Sequence, residues 1–240
     1  MDRETARRTI AAAGQALTQA GRTTPDVPVP WCPGWTVTTV VKHLGLVHQW
    51  AAGLLRDTPS ERPPFPKAPP DLSPTELADW ADVQREAVLS AIAESDGDRE
   101  MWAFDRTRPA RFWWRRQGLE TSVHAWDGTS AAGAPWPIPP DVATEGVEEL
   151  LDWTLPRLFA ANPPTWGESR TVHLHRTDGD GEWLVTIGNP PTVGHGHAKG
   201  DLAVRGPAAD LFLWAWNRPA TVETFGDTAL AEAWAANVKF

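Results

Sequence analysis

The sequence predicts an α+β protein in two parts, an N-terminal four-helix bundle followed by a smaller domain with helices and an antiparallel sheet. Three observations predict it. Four segments within the first ~130 residues repeat apolar positions at helical spacing. The stretch SAAGAPWPIPPDV (130–142) is small, proline-rich and helix-breaking. Beyond it, runs of strand-forming residues appear between turn signals. The domains are therefore drawn at 1–133 and 139–240, a division that a chain of 240 residues can support with two modest cores.

The elements follow in order. Residues 3–20 carry Ile10, Ala13, Leu17 and Ala20 on one helical face, with Gly21 closing the segment. WCPGWT (31–36) reads as a turn whose Thr36 caps a second helix running to about Arg56, with Val40, Val41, Leu44, Val47 and Leu54 as its apolar stripe. RPPFPKAPPDLSP (62–74) is too rich in proline for a helix or central strand and predicts an extended surface connection. Ser73-Pro74-Thr75-Glu76 is a capping box with proline at the first helical position, opening a third helix to about Ala93. Residues 98–109 read as irregular, and a fourth helix spans roughly 110–130. In the second part a helix at about 141–160 precedes strands at TVHLHRT (171–177), EWLVTIG (182–188) and DLAVRG (201–206). TDGDGE forms a hairpin-type turn between the first two. Pro207–Trp216 reads as a helix, and Asp227 caps a last short one.

Composition narrows the function classes. A net charge of −9, with basic residues scattered apart from Arg115-Arg116, argues against a nucleic-acid partner, which requires a basic face. No run of 18 apolar residues suggests a membrane span. The charged, amphipathic N-terminal stretch reads as a first helix rather than a secretory leader. Cys32 is the single cysteine, so no intrachain disulfide or thiolate cluster forms, and the expected compartment is the reducing cytoplasm. The expected assembly is a monomer or weak homo-oligomer. Fifteen tryptophans and no tyrosine predict large rings in the core and around a pocket.

The most informative segment is LETSVHAWD (119–127). Glu120 and His124 lie four residues apart, so on a helix they project from one face and can share one cation. A third ligand must come from another helix, and VKHLGLVHQW offers His43 and His48. These are five residues apart, about 140° around the helix, so only one of them should face the same centre. Two imidazoles and a carboxylate suit zinc, and three protein ligands leave a position open for water or substrate, which is the catalytic type of site.

WCPGWTVTTVVKHLGLVHQW followed by FWWRRQGLETSVHAWD resembles the mycothiol-dependent maleylpyruvate isomerase family, whose N-terminal domain is a DinB-like four-helix bundle. PPDVATEGVEELLDWTLPR, TVHLHRTD, DLAVRGPAADLFLWAWNR and GDTALAEAW are similar to that family's smaller C-terminal domain, so the resemblance covers nearly the whole chain. It implies a divalent metal, typically zinc, held by His43, Glu120 and His124, and leaves His48 outside the ligand set. It also implies a catalytic role for Arg218 in LWAWNR. One departure is RRQGLE where many members carry RRxAHE, placing Leu119 where a polar residue is common.

The implied chemistry is thiol activation. A zinc ion with an open position lowers the pKa of a bound thiol such as mycothiol, and the thiolate adds to a small electrophile. Departure of the thiolate after bond rotation makes an isomerase; retention makes an S-transferase. The alternatives are a thiol-independent metal hydrolase and a non-catalytic metal-binding protein of the same fold. Arg115 and Arg116, less than two turns before the metal pair, are candidates for binding a carboxylate of the thiol cofactor or substrate. Cys32, in a turn with no histidine near it in sequence, reads as a packing residue. His173 and His175 share one face of a strand, and His195 and His197 lie in a Gly-rich loop. Neither pair has a carboxylate at useful spacing, so they read as edge-strand and loop histidines. Trp35, Trp50, Trp113, Trp114 and Trp126 flank the metal motifs and could wall a pocket.

Overall fold

Four helices of 21 residues build the first part of the chain: α1 (Arg3–Thr23), α2 (Val37–Asp57), α3 (Pro74–Glu94) and α4 (Arg111–Ala131). A computed structural model describes residues 1–166 and 169–239. The caps are local chemistry. The Asp2 carboxylate accepts from the Thr5 N–H at 2.7 Å. Thr36 and Thr39 form one capping box, and Ser73 and Glu76 form another behind Pro74. Gly21 does not close α1, which runs on to Thr23. A Cβ at Gly21 would lie 2.8 Å from a Val41 methyl, so the glycine serves the close approach of α1 and α2.

α1 packs against α3 and α4, and α2 packs against the same two helices. Two apolar clusters result. One joins Ile10, Trp50, Leu54, Val88, Ile92, Met101, Trp102 and Trp113. The other joins Leu17, Val29, Val40, Val41, Leu44, Leu77 and Ala125, with Trp31, Cys32 and Trp35 packed on it. Residues 98–109, expected to be irregular, instead contain a hairpin of β1 (Glu100–Ala103) and β2 (Arg106–Pro109). Its turn holds Phe104 at φ +60. Met101 and Trp102 anchor it in the first cluster, where Trp50, Trp102 and Trp113 meet ring to ring at centroid separations of 5.6–6.0 Å.

The chain forms two compact units, Met1–Ile138 and Pro139–Phe240. The second opens with α5 (Pro140–Glu149), a single π turn (Leu150–Thr154) and α6 (Leu155–Ala161). Pro156 accounts for the π turn. It has no N–H for the carbonyl four residues back and its ring crowds that carbonyl, so Leu155 bonds Leu150 one residue further away. A five-stranded sheet follows, made of β3 (Thr171–Arg176), β4 (Glu182–Thr186), β5 (Thr192–His195), β6 (Leu202–Gly206) and β7 (Glu223–Gly226) in the order β5-β4-β3-β6-β7. The sheet is antiparallel-rich, as the sequence predicts, but β3 and β6 run parallel. α7 (Ala208–Ala215) and α8 (Ala229–Asn237) complete the unit. Asp227 accepts from the Ala229 N–H at 3.2 Å at the start of α8.

One face of this sheet is apolar and closed. Val172, Leu174, Trp183, Val185, Leu202 and Val204 are buried, and the Trp183 indole donates to Glu148 of α5 at 2.6 Å. The alternation of β-strands therefore sends His173, His175 and Glu182 to the opposite face. Among the described residues, no helix is long and apolar enough to cross a membrane.

Candidate metal centre

Arg116, Glu120, His124 and Asp127 follow one another along α4 at steps of four, four and three, which places them on a single helical stripe. α4 is unusual among the four helices in burying many polar side chains, with Gln117, Glu120, Thr121, Ser122, Asp127 and Thr129 all buried. Buried polar groups must be partnered, and here the partners define the site. His43 reaches it from α2.

One nitrogen from each of His43 and His124 and one Glu120 oxygen lie within 4.8 Å of one another. His43 Nε2 is 3.2 Å from Glu120 Oε1, and His124 Nε2 is 3.3 Å from the same oxygen. The two imidazole rings meet edge to face, 4.7 Å apart. The other Glu120 oxygen accepts from the Arg116 guanidinium. Burial pushes the Glu120 carboxyl up, but Arg116, then His124 and His43, outweigh it and hold the group well below the usual carboxylate range. His124 Nδ1 faces Asp127 Oδ2 at 3.0 Å. Burial lowers the basicity of His124, yet Glu120 and Asp127 together raise it to about 9.

Asp127 is fully buried and was not singled out by the sequence reading, although its i+3 spacing from His124 was visible. It accepts from the Trp31 indole at 2.7 Å and the Cys32 thiol at 3.6 Å. Three donors converging on one buried carboxylate fix its orientation, and it in turn fixes the His124 ring with Nδ1–H donated and Nε2 directed to Glu120. Cys32 therefore has a histidine-bound carboxylate beside it in space, which its position in sequence concealed. Gly34, at φ +81, turns the WCPGWT loop so that the Trp35 N–H donates to Cys32 and its carbonyl accepts from Val29. That loop lays Trp35 over both ligand candidates, 5.1 Å from the His43 ring and stacked 5.9 Å from His124. Of the other flanking tryptophans, Trp50, Trp113 and Trp114 belong to the first apolar cluster, and Trp126 packs on Trp31 at 5.0 Å.

His48 points elsewhere. Its Nε2 is 2.9 Å from the Thr121 hydroxyl, which itself donates to the Gln117 carbonyl at 2.7 Å. Thr121 thus has only a lone pair to offer, so His48 is the donor and a neutral imidazole. Burial first, then Arg85, pushes its pKa down to about 3. Arg115 is part-buried next to Arg116 on α4. Arg218 lies in the second unit, where its guanidinium donates to the Trp216 carbonyl at 2.8 Å. Leu119 is buried in α4 at 1% exposure, a position that would desolvate a polar side chain.

The donor set fits a divalent cation. Two imidazoles, one held through Nδ1 by Asp127 with Nε2 turned to the site, and a carboxylate kept ionised by Arg116 leave coordination positions open for a further ligand.

The histidines of the sheet also differ from expectation. β3 is an interior strand, between β4 and β6, so His173 and His175 are not edge residues. Their carboxylate is Glu182, directly across the hairpin from His175. His173, His175, Glu182 and His197 offer ligand atoms within 4.8 Å of one another.

A family model described as the mycothiol maleylpyruvate isomerase N-terminal domain matches residues 3–127, and one described as the MDMPI C-terminal domain matches residues 141–233. Among solved structures, the chain is similar to a mycothiol-dependent maleylpyruvate isomerase and to a histidine-to-alanine mutant of such an enzyme. Sequence identities are 16% and 15%, each alignment covers 93% of both chains, and each TM-score is 0.67. No curated protein matches the chain.

Proposed function

Because the chain belongs to the mycothiol maleylpyruvate isomerase family in both of its parts, we propose that it is a zinc-dependent enzyme that uses mycothiol to isomerise or conjugate a small electrophile. The observation that carries the reading is the convergence of His43, Glu120 and His124 within 4.8 Å beneath Trp35. A cation held by these three donors supplies a Lewis acid with a position open to a thiol, lowering the thiol's pKa towards neutrality.

The protein's own groups prepare that position. Arg116 keeps Glu120 ionised, and Asp127 accepts the Nδ1–H of His124, so that Nε2 is the nitrogen left to bind a cation once that cation displaces its proton. Trp35 restricts both rings. Arg115 and Arg116 provide guanidinium groups for a carboxylate of the substrate or for oxygens of the thiol cofactor, with Arg116 engaged in part by Glu120. By family resemblance Arg218 is assigned the catalytic arginine. For an isomerisation, sulfur adds to one carbon of a conjugated cis double bond, the former double bond rotates, and the same C–S bond breaks to return the thiol. For a conjugation, the new C–S bond is kept and the adjacent carbon takes a proton.

The test is incubation of zinc-loaded protein with mycothiol and a panel of electrophiles including maleylpyruvate, followed by NMR and mass spectrometry. Thiol-dependent cis–trans conversion or a thiol adduct is expected, and both should vanish in His124→Ala. Turnover that needs no thiol would instead assign a hydrolase. Wild-type turnover by Arg218→Lys would remove that residue from the catalytic set.

A further inference from the structure

The open face of the sheet carries a cluster that the proposed activity does not use. His173 and His175 alternate with buried Val172 and Leu174 on β3, so both project to the same side. The hairpin register sets Glu182 opposite His175. His197 follows β5, beyond Gly196 at φ +103, and returns to the same carboxylate. Glu182 Oε1 is 3.1 Å from His175 Nδ1, while Oε2 is 3.0 Å from His197 Nδ1 and 3.3 Å from His173 Nε2. The three imidazoles stand nearly perpendicular to one another, at interplanar angles of 69–86° and centroid separations of 5.8–6.4 Å. Rings disposed in this way around one point present their lone pairs inward rather than stacking.

We propose that His173, His175, Glu182 and His197 form a second metal site, taking a borderline divalent transition ion such as zinc. A second observation points to a ligand. His173 is 4% exposed, and its Nε2 is buried with no hydrogen-bond partner among the described residues, despite its 3.3 Å approach to Glu182. A buried, unsatisfied ring nitrogen is costly unless something fills its lone pair or takes its proton. Burial lowers the basicity of His173, which favours the neutral, ligating form. Burial pushes the Glu182 carboxyl up, but the hydrogen bond from His197 leads the groups that hold it below its ordinary range. Three imidazoles with one carboxylate select zinc, nickel or copper over calcium or magnesium, which require oxygen-rich shells.

Four protein ligands make this a closed, structural type of site, unlike the open N-terminal trio. Its role is to clamp the loop 196–200 onto the sheet. The loop passes so close that a Cβ at Gly200 would fall 2.9 Å from the His173 backbone nitrogen. His197 itself is 82% exposed, so without an ion that end rests on its bond to Glu182 and on the Gly196 N–H donated to the Glu182 carbonyl at 3.1 Å. A cavity of about 590 Å³, lined in part by His175, Glu182 and His197, gives the ion access from solvent.

The test uses the untagged full chain, stripped with chelator, reloaded with excess zinc, desalted and assayed for bound metal, with cobalt spectra as an independent readout of tetrahedral ligation. Two ions per chain are expected in the wild type, and one in the double variant His43→Ala/His124→Ala. Because His173→Ala removes a buried side chain and could impair folding, His197→Ala at an exposed position is the matched probe. It should lower affinity for the second ion by about 100-fold while the N-terminal ion stays bound. If the His43/His124 double variant binds no zinc, the second site is overturned and the N-terminal assignment stands. If the wild type binds one ion that His197→Ala removes and the double variant keeps, the second site stands and the N-terminal ligand set fails. Unchanged two-ion binding by both His197→Ala and His173→Ala would also overturn the proposal.

Discussion

Glu120 and Glu182 each sit between histidines, but their surroundings differ. Glu120 is 11% exposed, and its other oxygen is already taken by Arg116, itself 12% exposed. Its neighbour His124 is locked by Asp127, which is locked in turn by Trp31. Glu182 is 22% exposed, and all its side-chain neighbours named above are imidazoles, one of them on an exposed loop. The helical site therefore carries fixed charges and donors that hold its geometry whether or not a cation is bound. The sheet site has its candidate ligand types in place, but among the described residues no comparable ring of buried charges surrounds Glu182. Catalysis needs geometry set in advance, whereas a structural clamp can let the ion complete the fold.

The largest expected break in this comparison is Glu120→Gln. It removes the carboxylate charge that pairs with the part-buried Arg116 guanidinium, a loss of up to about 3–5 kcal/mol. Urea unfolding of chelator-treated protein measures this without any contribution from bound metal. A change below about 1 kcal/mol would mean that Arg116 finds another partner or water, and that the site is not held in advance. Next is Asp127→Asn, which leaves the three proposed ligands intact but removes the carboxylate that faces His124 Nδ1. Zinc affinity at the N-terminal site should fall by about 10–100-fold, as loss of such outer partners does elsewhere. A competition titration with a chromophoric chelator reads it, and unchanged affinity would show that helix packing alone orients the ring.

These residues also differ in how far the sequence revealed them. Glu120 and His124 share one helix, so their pairing is a local fact that spacing exposes. Asp127 and Arg116 are equally local, at i+3 from His124 and i−4 from Glu120, but carry no signal unless one asks what supports a ligand. His43 is different. Helical geometry excludes only joint use of His43 and His48, and the choice between them came from the family motif. The sheet cluster was least legible because its members come from two strands and a loop. Even there, TDGDGE places the hairpin's midpoint so that His175 and Glu182 face each other, and register could have supplied the missing carboxylate. The unpredicted strands β1, β2, β5 and β7 are all four residues long, and β7 is exposed throughout. Strands this short give almost no alternation to read. Gly21 misleads for the opposite reason, since a helix-ending residue type is present for a tertiary contact with Val41.

His48 sharpens what burial does within the helical unit. Thr121→Val should cost about 1–3 kcal/mol at pH 7, because the Nε2–H of His48 then has no acceptor. The same residue gives a pH dependence with a definite sign. Its folded pKa, about 3, lies below the ordinary 6.5. Between these values the unfolded chain binds a proton that the folded chain refuses, so stability is lost as pH falls from about 6.5 towards 3. His48→Gln should flatten that part of the stability–pH curve relative to wild type. Parallel curves for the two proteins would place the acid sensitivity in other groups.

The smallest expected effect falls on the sheet. Glu182→Gln removes a carboxylate whose partners are imidazoles that do not depend on it for burial. His197 stays solvated, and burial lowers the basicity of His173. The pair with His197 is exposed on the histidine side and contributes about 0–1 kcal/mol, so in chelator the variant should unfold within about 1 kcal/mol of wild type. Zinc should separate the two proteins. A closed four-ligand site adds its binding free energy to folding, so the wild type gains stability with free zinc and the variant gains less. Paired denaturation curves in His43→Ala/His124→Ala backgrounds isolate this contribution from the helical site. If Glu182→Gln in chelator is as damaging as Glu120→Gln, the sheet cluster is held in advance too, and the contrast between the two sites does not hold.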